Sequence, residues 1–171
     1  MGCLKITLLG IPRIEWNNKP LKIRTRKTIA LIAYLAMQPP ETTVQRGFLA
    51  EFLWPDNDNN LTRLRRVLHD LKAYEVENWL TIHRSTLMLN AEVEIVVDAT
   101  QYDLLVSEMA NEGSRESLEQ AYQLYQGEFL HGLSLPEAPA FETWALNKRQ
   151  ALKQAHIRLL EALSERSQQN G

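Results

Sequence analysis

The chain has 171 residues, of which 44% are hydrophobic, and its formal net charge at pH 7 is −2. This composition is typical of one ordinary globular domain or two small ones and excludes a mainly disordered chain. The total charge does not indicate a nucleic-acid partner, but the charge is unevenly placed. Residues 1–97 carry 13 Lys and Arg against 10 Asp and Glu, a charge of +3, whereas residues 98–171 carry 6 against 11, a charge of −5. Such an asymmetry between halves is a signal that the total charge of the chain hides.

The single cysteine, Cys3, excludes an internal disulfide, and the sequence contains no Cys cluster that would bind zinc. The N-terminus has no charged segment followed by a long apolar run, so no signal peptide is predicted. No apolar run approaches the ~20 residues that a membrane-spanning helix needs. We therefore expect a cytoplasmic protein without a membrane partner.

The first part of the chain has the pattern of a small antiparallel sheet. Residues 4–10 are predicted to form a strand that ends at Gly10, and residues 13–16 a second strand. A turn is expected over 17–20, followed by a third strand over 21–23.

A basic run without any acidic residue follows the second strand. It consists of Lys19, Lys22, Arg24, Arg26 and Lys27. The run is either a solvated strand edge, since Lys commonly protects edges, or a phosphate-contacting surface at the start of the next helix.

Two short helices come next. Residues 28–37 form an apolar segment that the Gln-Pro-Pro at 38–40 ends. The second helix is expected over 45–54, with Thr42 or Thr43 as its cap.

The third predicted helix, over 61–74, is strongly amphipathic. One face at 100° per residue contains Leu61, Leu64, Val67, Leu68 and Leu71. The opposite face contains Thr62, Arg66, His69 and Ala73, with Arg63 and Arg65 on its flanks. Such a helix either lies on the surface with a solvated outer face or enters a DNA major groove, where Arg recognises guanine edges and phosphates. Asp70 is expected to pair with Arg66 at i, i+4.

A hairpin is predicted from strands over 79–82 and 86–89 around the tip 83–85, followed by a strand over 92–97. The order of sheet, three helices and hairpin is that of a winged helix-turn-helix. The basic helix stands where a recognition helix belongs, and His83 and Arg84 stand at the tip of the wing, where a basic side chain can enter a minor groove. This agreement favours DNA binding over the solvated-face interpretation.

The character of the chain changes at residue 98. Helices are predicted over 99–110, 115–126 and 140–167, with a turn at 111–114 and a structured loop over 127–139. These helices are typical of either a tetratricopeptide-like unit or a helical subdomain that only braces the first part. The predicted fold is thus an α+β winged helix-turn-helix in 1–97 followed by an all-α part in 98–171.

Leu-Trp-Pro-Asp at 53–56 and Gly-Glu-Phe-Leu at 127–130 are the most specific of a series of matches to one known family. Through these matches, and over nearly its whole length, the chain resembles the Streptomyces antibiotic regulatory protein (SARP) family of transcription activators. The others lie at 8–10 with 12–15, 26–35, 64–65 with Leu68 and 71–72, 122–125, and Glu142, Trp144, Arg149 and Leu152.

The resemblance implies an OmpR-like winged-helix domain joined to a bacterial transcriptional activator domain. It also implies binding to direct repeats in promoter double-stranded DNA as a head-to-tail homodimer, and recruitment of RNA polymerase. Because the family usually continues with more helices, residues 98–171 are expected to be the first helices of an activator domain, in a chain that is either truncated or a short member of the family.

The expected site combines base readers with phosphate contacts. Thr62, Arg66 and His69 are placed for bases, whereas Arg63, Arg65 and Lys72 are better placed for phosphates. On either side, Arg24, Arg26 and Lys27 would contact the DNA backbone, and His83 and Arg84 would act from the wing.

No enzyme, metal site or cofactor is predicted, because the sequence has no Gly-rich phosphate loop and no His-Glu-x-x-His motif. Glu128 and His131 form a single Glu-x-x-His, and a di-iron bundle needs a second copy. The alternative function is a protein-interaction module with a winged helix that no longer binds DNA. A single surface formed by the basic residues of 19–27, 63–72 and 84 would favour DNA binding.

Overall fold

Two small sheets and seven α-helices make up the computed structural model, which describes residues 2–109 and 114–169. The strands are β1 Cys3–Thr7, β2 Arg13–Trp16, β3 Lys19–Pro20, β4 Val44–Gln45, β5 Leu80–Ile82, β6 Thr86–Leu89 and β7 Glu94–Val97. The helices are α1 Arg26–Ala36, α2 Arg46–Leu53, α3 Asn60–Asp70, α4 Val76–Trp79, α5 Asp98–Met109, α6 Arg115–Leu124 and α7 Pro139–Gln169. The architecture agrees with the predicted α+β first part and helical second part.

The first sheet has the strand order β3-β2-β1-β7, with β7 parallel to β1 and the other pairs antiparallel. The predicted third strand over 21–23 is wrong, because pairing begins at Lys19, opposite Trp16. The reason is the tight turn at Asn17 and Asn18, whose φ values of 51° and 62° reverse the chain within two residues.

Strand β1 is shorter than the predicted 4–10, because the backbone beyond Thr7 binds other groups. The Leu8 and Leu9 N–H groups donate to the Asp98 carboxylate at 2.7 and 2.9 Å. The same carboxylate accepts from Ala99 N–H at 2.7 Å and so also begins α5. Burial raises the pKa of the Asp98 carboxyl, whereas these backbone hydrogen bonds lower it.

The helix-turn-helix differs from the prediction at its second helix. Neither Thr42 nor Thr43 caps α2, whose N-cap residue is Gln45 and makes no side-chain capping bond. Instead, Val44 and Gln45 form β4 and pair with β6 of the hairpin. The wing is therefore hydrogen-bonded to the start of α2, a contact that local periodicity does not reveal.

The predicted helix over 61–74 divides into α3 and a 3-10 turn over Leu71–Tyr74. Glu75 follows in the left-handed region, at φ 54°, and the short helix α4, which the sequence pattern did not indicate, comes after it. Trp79 is buried at the end of α4, where its Nε1 donates to the Tyr74 carbonyl at 3.1 Å. It is thus a helix residue, and β5 begins one residue later than predicted.

The helices of the second part lie close to their predicted positions. Ser114 caps α6 by accepting from Ser117 N–H at 3.1 Å, while the rest of the predicted turn, 111–113, and residue 110 of the predicted helix 99–110 lie outside the described residues. Helix α6 ends at Leu124, two residues earlier than predicted.

The loop over 127–139 is structured, as predicted, because its backbone pairs with residues 8–10, directly after β1. Gly10 N–H donates to the Glu128 carbonyl at 3.0 Å, and Leu130 N–H to the Leu8 carbonyl at 2.8 Å. A Cβ on Gly127 would lie 3.1 Å from the Gly10 Cα, so this close approach of two backbones favours glycine at position 127.

An aromatic cluster joins α1, α2, the loop and α7 into one core. It contains Tyr34, Phe48, Phe52, Phe129, Phe141 and Trp144. The buried side chains of both predicted domains belong to a single hydrophobic cluster. The boundary at 97/98 stays a prediction, and the helical part packs directly on the helix-turn-helix.

Within residues 2–109 and 114–169, no helix is both long and apolar enough to span a bilayer. The same residues contain no group of three or more His, Cys, Asp or Glu side chains arranged to hold a metal ion.

Candidate nucleic-acid interface

Helix α3 buries one face and leaves the basic face in solvent. Leu64 and Leu68 are 0% and 4% exposed, and Leu71 is also buried. The predicted site residues of this helix and the following turn are all exposed: Thr62, Arg63, Arg65, Arg66, His69 and Lys72. Leu61, predicted to be buried, is 41% exposed, because it borders a surface concavity near the wing.

One side of α3 forms a groove with the start of α1, here called the α1 groove. Its lining consists of Thr25, Lys27, Trp54, Thr62, Arg63, Arg66, Val67 and Asp70. The expected ion pair between Arg66 and Asp70 does not form among the described residues, although both side chains border this groove. The Arg66 guanidinium is therefore exposed at the groove without the restraint that such a pair would impose.

The other side of α3 faces the wing across a second concavity, here called the wing groove. Its lining consists of Gln45, Arg46, Gly47, Leu61, Arg65, Arg84 and Ser85. Arg65 of α3 and Arg84 of the wing tip thus border the same space, as the predicted winged helix-turn-helix requires.

The wing is the predicted hairpin of β5 and β6, paired from Leu80 opposite Leu89 to Ile82 opposite Leu87. The His83 N–H donates to the Thr86 carbonyl at 3.0 Å and closes the turn. His83 and Arg84 are both exposed, so their side chains are available at the tip.

Arg46, at the first position of α2, is a residue of this surface that the sequence pattern did not single out. Its N–H donates to the Ser85 carbonyl at 2.8 Å. Its Nη1 donates to the carbonyls of His83 and Arg84 at 3.1 and 3.4 Å. In the sequence, Arg46 is marked only as a basic residue near the start of a predicted helix. Its contacts depend on the pairing of β4 with β6, which no local pattern indicates.

The basic run at 19–27 divides into exposed and engaged residues. Lys19, Lys22, Arg24 and Arg26 are exposed. The backbone of this segment lies against the end of the 3-10 turn, since the Tyr74 hydroxyl donates to the Lys22 carbonyl at 2.7 Å.

Lys27 is the engaged residue of the run. Its ammonium donates to the Leu53 carbonyl at the end of α2, lies 3.4 Å from Glu137 Oε1 and lies 5.2 Å from the centre of the Trp54 ring. A backbone hydrogen bond at Glu137 and the nearby charges of Lys27 and Arg26 lower the pKa of the Glu137 carboxyl. The predicted DNA contact of Lys27 therefore competes with contacts that hold α2 and the 127–139 loop in place.

Basic side chains from three separate segments thus border the exposed face of α3. Lys27 lies beside Arg63 and Arg66 in the α1 groove, and Arg65 lies beside Arg46 and Arg84 in the wing groove. These positions are separated along the chain, and the fold places them on the two sides of one helix.

Comparison with known proteins identifies the architecture. No protein-family model matches the chain, and no curated protein is similar to it in sequence. The fold is similar to that of Mycobacterium tuberculosis EmbR, solved in complex with a low-affinity phosphopeptide, with a TM-score of 0.69 and 18% sequence identity. The alignment covers 91% of this chain and 44% of the EmbR chain, so the chain spans less than half the length of that structure. The likeness supports a winged helix followed by helices.

Proposed function

We propose that the chain is a sequence-specific DNA-binding transcriptional regulator and an activator of the SARP type. The observation that carries the proposal is the basic surface around α3, to which Lys27, Arg63 and Arg66 contribute on one side and Arg46, Arg65 and Arg84 on the other. The negative phosphates of DNA are attracted to such a basic surface. An exposed helix with basic side chains on both of its sides can lie in a major groove.

Sequence choice is assigned to Thr62, Arg66 and His69 on the outer face of α3. Arg66 can donate two parallel hydrogen bonds to a guanine edge, and Thr62 can contact the methyl group of thymine. Asp70 borders the same groove and disfavours a phosphate near Arg66, because like charges repel. Arg66 is therefore the principal base-reading residue of the proposal.

Affinity is assigned to the cations on the flanks of α3. Arg63, Arg65 and Lys72 would neutralise phosphates along the groove, and Arg24 and Arg26 would do so at the start of α1. Lys27 belongs to the same border but acts mainly through its contact with the end of α2. On the other side, His83 and Arg84 would reach the minor groove, whose negative potential attracts basic side chains.

Activation is assigned to the helical part. Residues 98–171 carry a charge of −5, and the aromatic cluster fixes α7 against α1 and α2. A rigid attachment of this kind would hold the acidic helices at a defined distance from bound DNA. The resemblance to the SARP family is what supports a head-to-tail pair on promoter repeats that recruits RNA polymerase, and we propose that this takes place in the cytoplasm. The proposal requires no cofactor and no catalytic residue.

The test is fluorescence anisotropy of a labelled random-sequence duplex, titrated with protein at several salt concentrations. Each phosphate contact contributes about −0.9 to the slope of log affinity against log salt, so four to six contacts give a slope of roughly −4 to −5. The matched control is a variant with Arg63, Arg65 and Lys72 replaced by Gln, for which the slope is expected to become shallower by about 3. Absence of binding at low salt would contradict the proposal and favour the interaction module, in which the acidic helices bind a protein partner.

A further inference from the structure

The wing is attached to the helix-turn-helix through a single side chain as well as through strand pairing. The pairing of Val44 with Leu87 and of Gln45 with Thr86 brings β6 to the start of α2. Beyond this pairing the wing extends through the tip residues 83–85. The backbone N–H of Arg46 continues the strand pairing to the Ser85 carbonyl, and its side-chain Nη1 reaches the carbonyls of His83 and Arg84 at the tip.

We propose that Arg46 is a positioning residue that fixes the wing tip relative to α3, and thereby determines which base pairs the wing meets beside the site of α3. The inference rests on the proposed DNA-binding function. It assigns to Arg46 a role in the geometry of recognition that is distinct from the charge it shares with Arg65 and Arg84.

The geometry of the guanidinium carries the argument. The planar guanidinium of Arg holds the two N–H groups of its Nη1 in fixed directions, whereas the Lys ammonium is a flexible point charge. At 3.1 and 3.4 Å, one nitrogen of Arg46 contacts two successive carbonyls of the tip. These contacts hold the backbone of His83 and Arg84, so they restrict the position from which the Arg84 side chain projects at the border of the wing groove.

An exposed hairpin tip without such a support is expected to move. Hairpin ends lie at the low-stability end of a structure, because few buried contacts hold them. A mobile tip would still attract phosphates through its charge, but it would lose the defined distance between α3 and the wing. Charge and position therefore make separable contributions, and a variant that keeps the charge can distinguish them.

The decisive variant is Arg46→Lys, which keeps the positive charge and removes the planar guanidinium. The matched control is Arg65→Lys, on the other side of the wing groove. The full chain is titrated with duplexes that share the sequence selected under α3 and carry either A·T-rich or G·C-rich base pairs under the wing, because minor-groove width depends on this choice. We expect the wild-type protein to prefer the A·T-rich flank by roughly tenfold, the size of one mismatched base pair. Arg84→Ala and Arg46→Lys should both lose most of this preference, and Arg46→Lys should keep the wild-type salt slope. Arg65→Lys should keep the preference.

The opposite result for Arg46→Lys overturns the inference. A retained flank preference, or no preference in the wild-type protein, means that Arg46 does not position the wing for recognition. A loss of affinity for Arg46→Ala that is equal on both flanks, with a salt slope shallower by about 0.9, assigns Arg46 to phosphate binding alone.

A second readout needs no DNA. Backbone amide order parameters of residues 83–85 are expected to fall in Arg46→Lys and to stay unchanged in Arg65→Lys. Unchanged order parameters in Arg46→Lys would by themselves show that the Arg46 side chain does not fix the wing tip. If the wild-type protein binds no duplex, the proposed function is wrong. If the order parameters still depend on Arg46 in that case, its contact with the wing tip is structural and has no role in recognition.

Discussion

Replacement of Lys27 by methionine tests whether this basic residue acts through DNA or through the fold. The ammonium contacts the Leu53 carbonyl, the Glu137 carboxylate at 3.4 Å and the Trp54 ring, whose centre is 5.2 Å away. The Lys27 side chain is only 19% exposed, so these contacts are partly shielded from water. Methionine keeps an unbranched apolar side chain of similar length and removes the charge.

The expected loss of unfolding free energy is about 2–3 kcal/mol. A hydrogen bond that involves a charged group contributes about 1.5–3 kcal/mol. The ion pair adds under about 1 kcal/mol, because the Glu137 side chain is 57% exposed, and the cation–π contact adds about 0.5–1 kcal/mol. Since all three contacts share one ammonium, whose desolvation opposes them, the total stays below their sum. For a chain of this size the melting temperature should fall by roughly 4–12 °C.

Urea unfolding followed by circular dichroism measures this loss, with Arg24→Met as the control, because Arg24 is exposed. The control should change the stability by less than about 0.5 kcal/mol. In the DNA titration, Arg24→Met should have the larger effect of the two variants. It should make the slope of log affinity against log salt shallower by about 0.9, and Lys27→Met should leave that slope nearly unchanged. A stability loss below about 1 kcal/mol for Lys27→Met, or a slope change as large as that of Arg24→Met, would refute this assignment.

Three further predictions concern base reading, the aromatic cluster and pH. Arg66→Ala should weaken binding to the selected sequence by about 1–3 kcal/mol and binding to random DNA by less; equal losses in the anisotropy titrations would remove Arg66 from the base-reading residues. Phe141→Ala should lower the unfolding free energy by about 3–5 kcal/mol, because the ring, which projects from α7, is fully buried against Phe52 of α2; in urea unfolding, a loss no larger than that of an exposed control such as Tyr122→Ala would contradict the role of the cluster. Burial lowers the pKa of His156, which stacks on Tyr125 at 3.9 Å and lies 3.3 Å from the Tyr102 hydroxyl. The contribution of neutral His156 to stability is therefore present above pH 6.5 and lost as the pH falls through the lowered pKa. Between pH 7.5 and pH 5, the free energy of unfolding measured in urea should fall more for the wild-type protein than for His156→Gln. Equal decreases in the two proteins would disprove this role of His156.

Several elements follow from patterns that are local in the sequence. The period of 3.6 in α3 correctly predicted that Leu64, Leu68 and Leu71 face the core, since successive turns of a helix place them on one side. The strand β6 and the tip 83–85 lie at their predicted positions, and β5 begins one residue later than predicted. The exposed positions of Arg63, Arg65 and Arg66 follow from the same arithmetic.

Errors occur where another part of the chain decides the conformation. The third strand moved to Lys19–Pro20 because the Asn-Asn turn is tighter than the turn assumed, and the start of α2 is determined by pairing with the wing. Leu61 fits the apolar stripe but borders the wing groove. The Arg66–Asp70 pair is sterically allowed by helix spacing, yet spacing alone does not make two exposed charges meet.

Local patterns in the sequence account for the order of most elements, for the buried face of α3 and for the basic character of its outer face, because these features depend on residues within a few positions of one another. The folded chain alone reveals that β7 pairs with β1, that Lys27 contacts Leu53 and Glu137, and that Arg46 contacts the wing tip. Each of these contacts joins residues that are distant in the chain. Their geometry is set by the packing of whole elements on a shared core, which local periodicity does not encode.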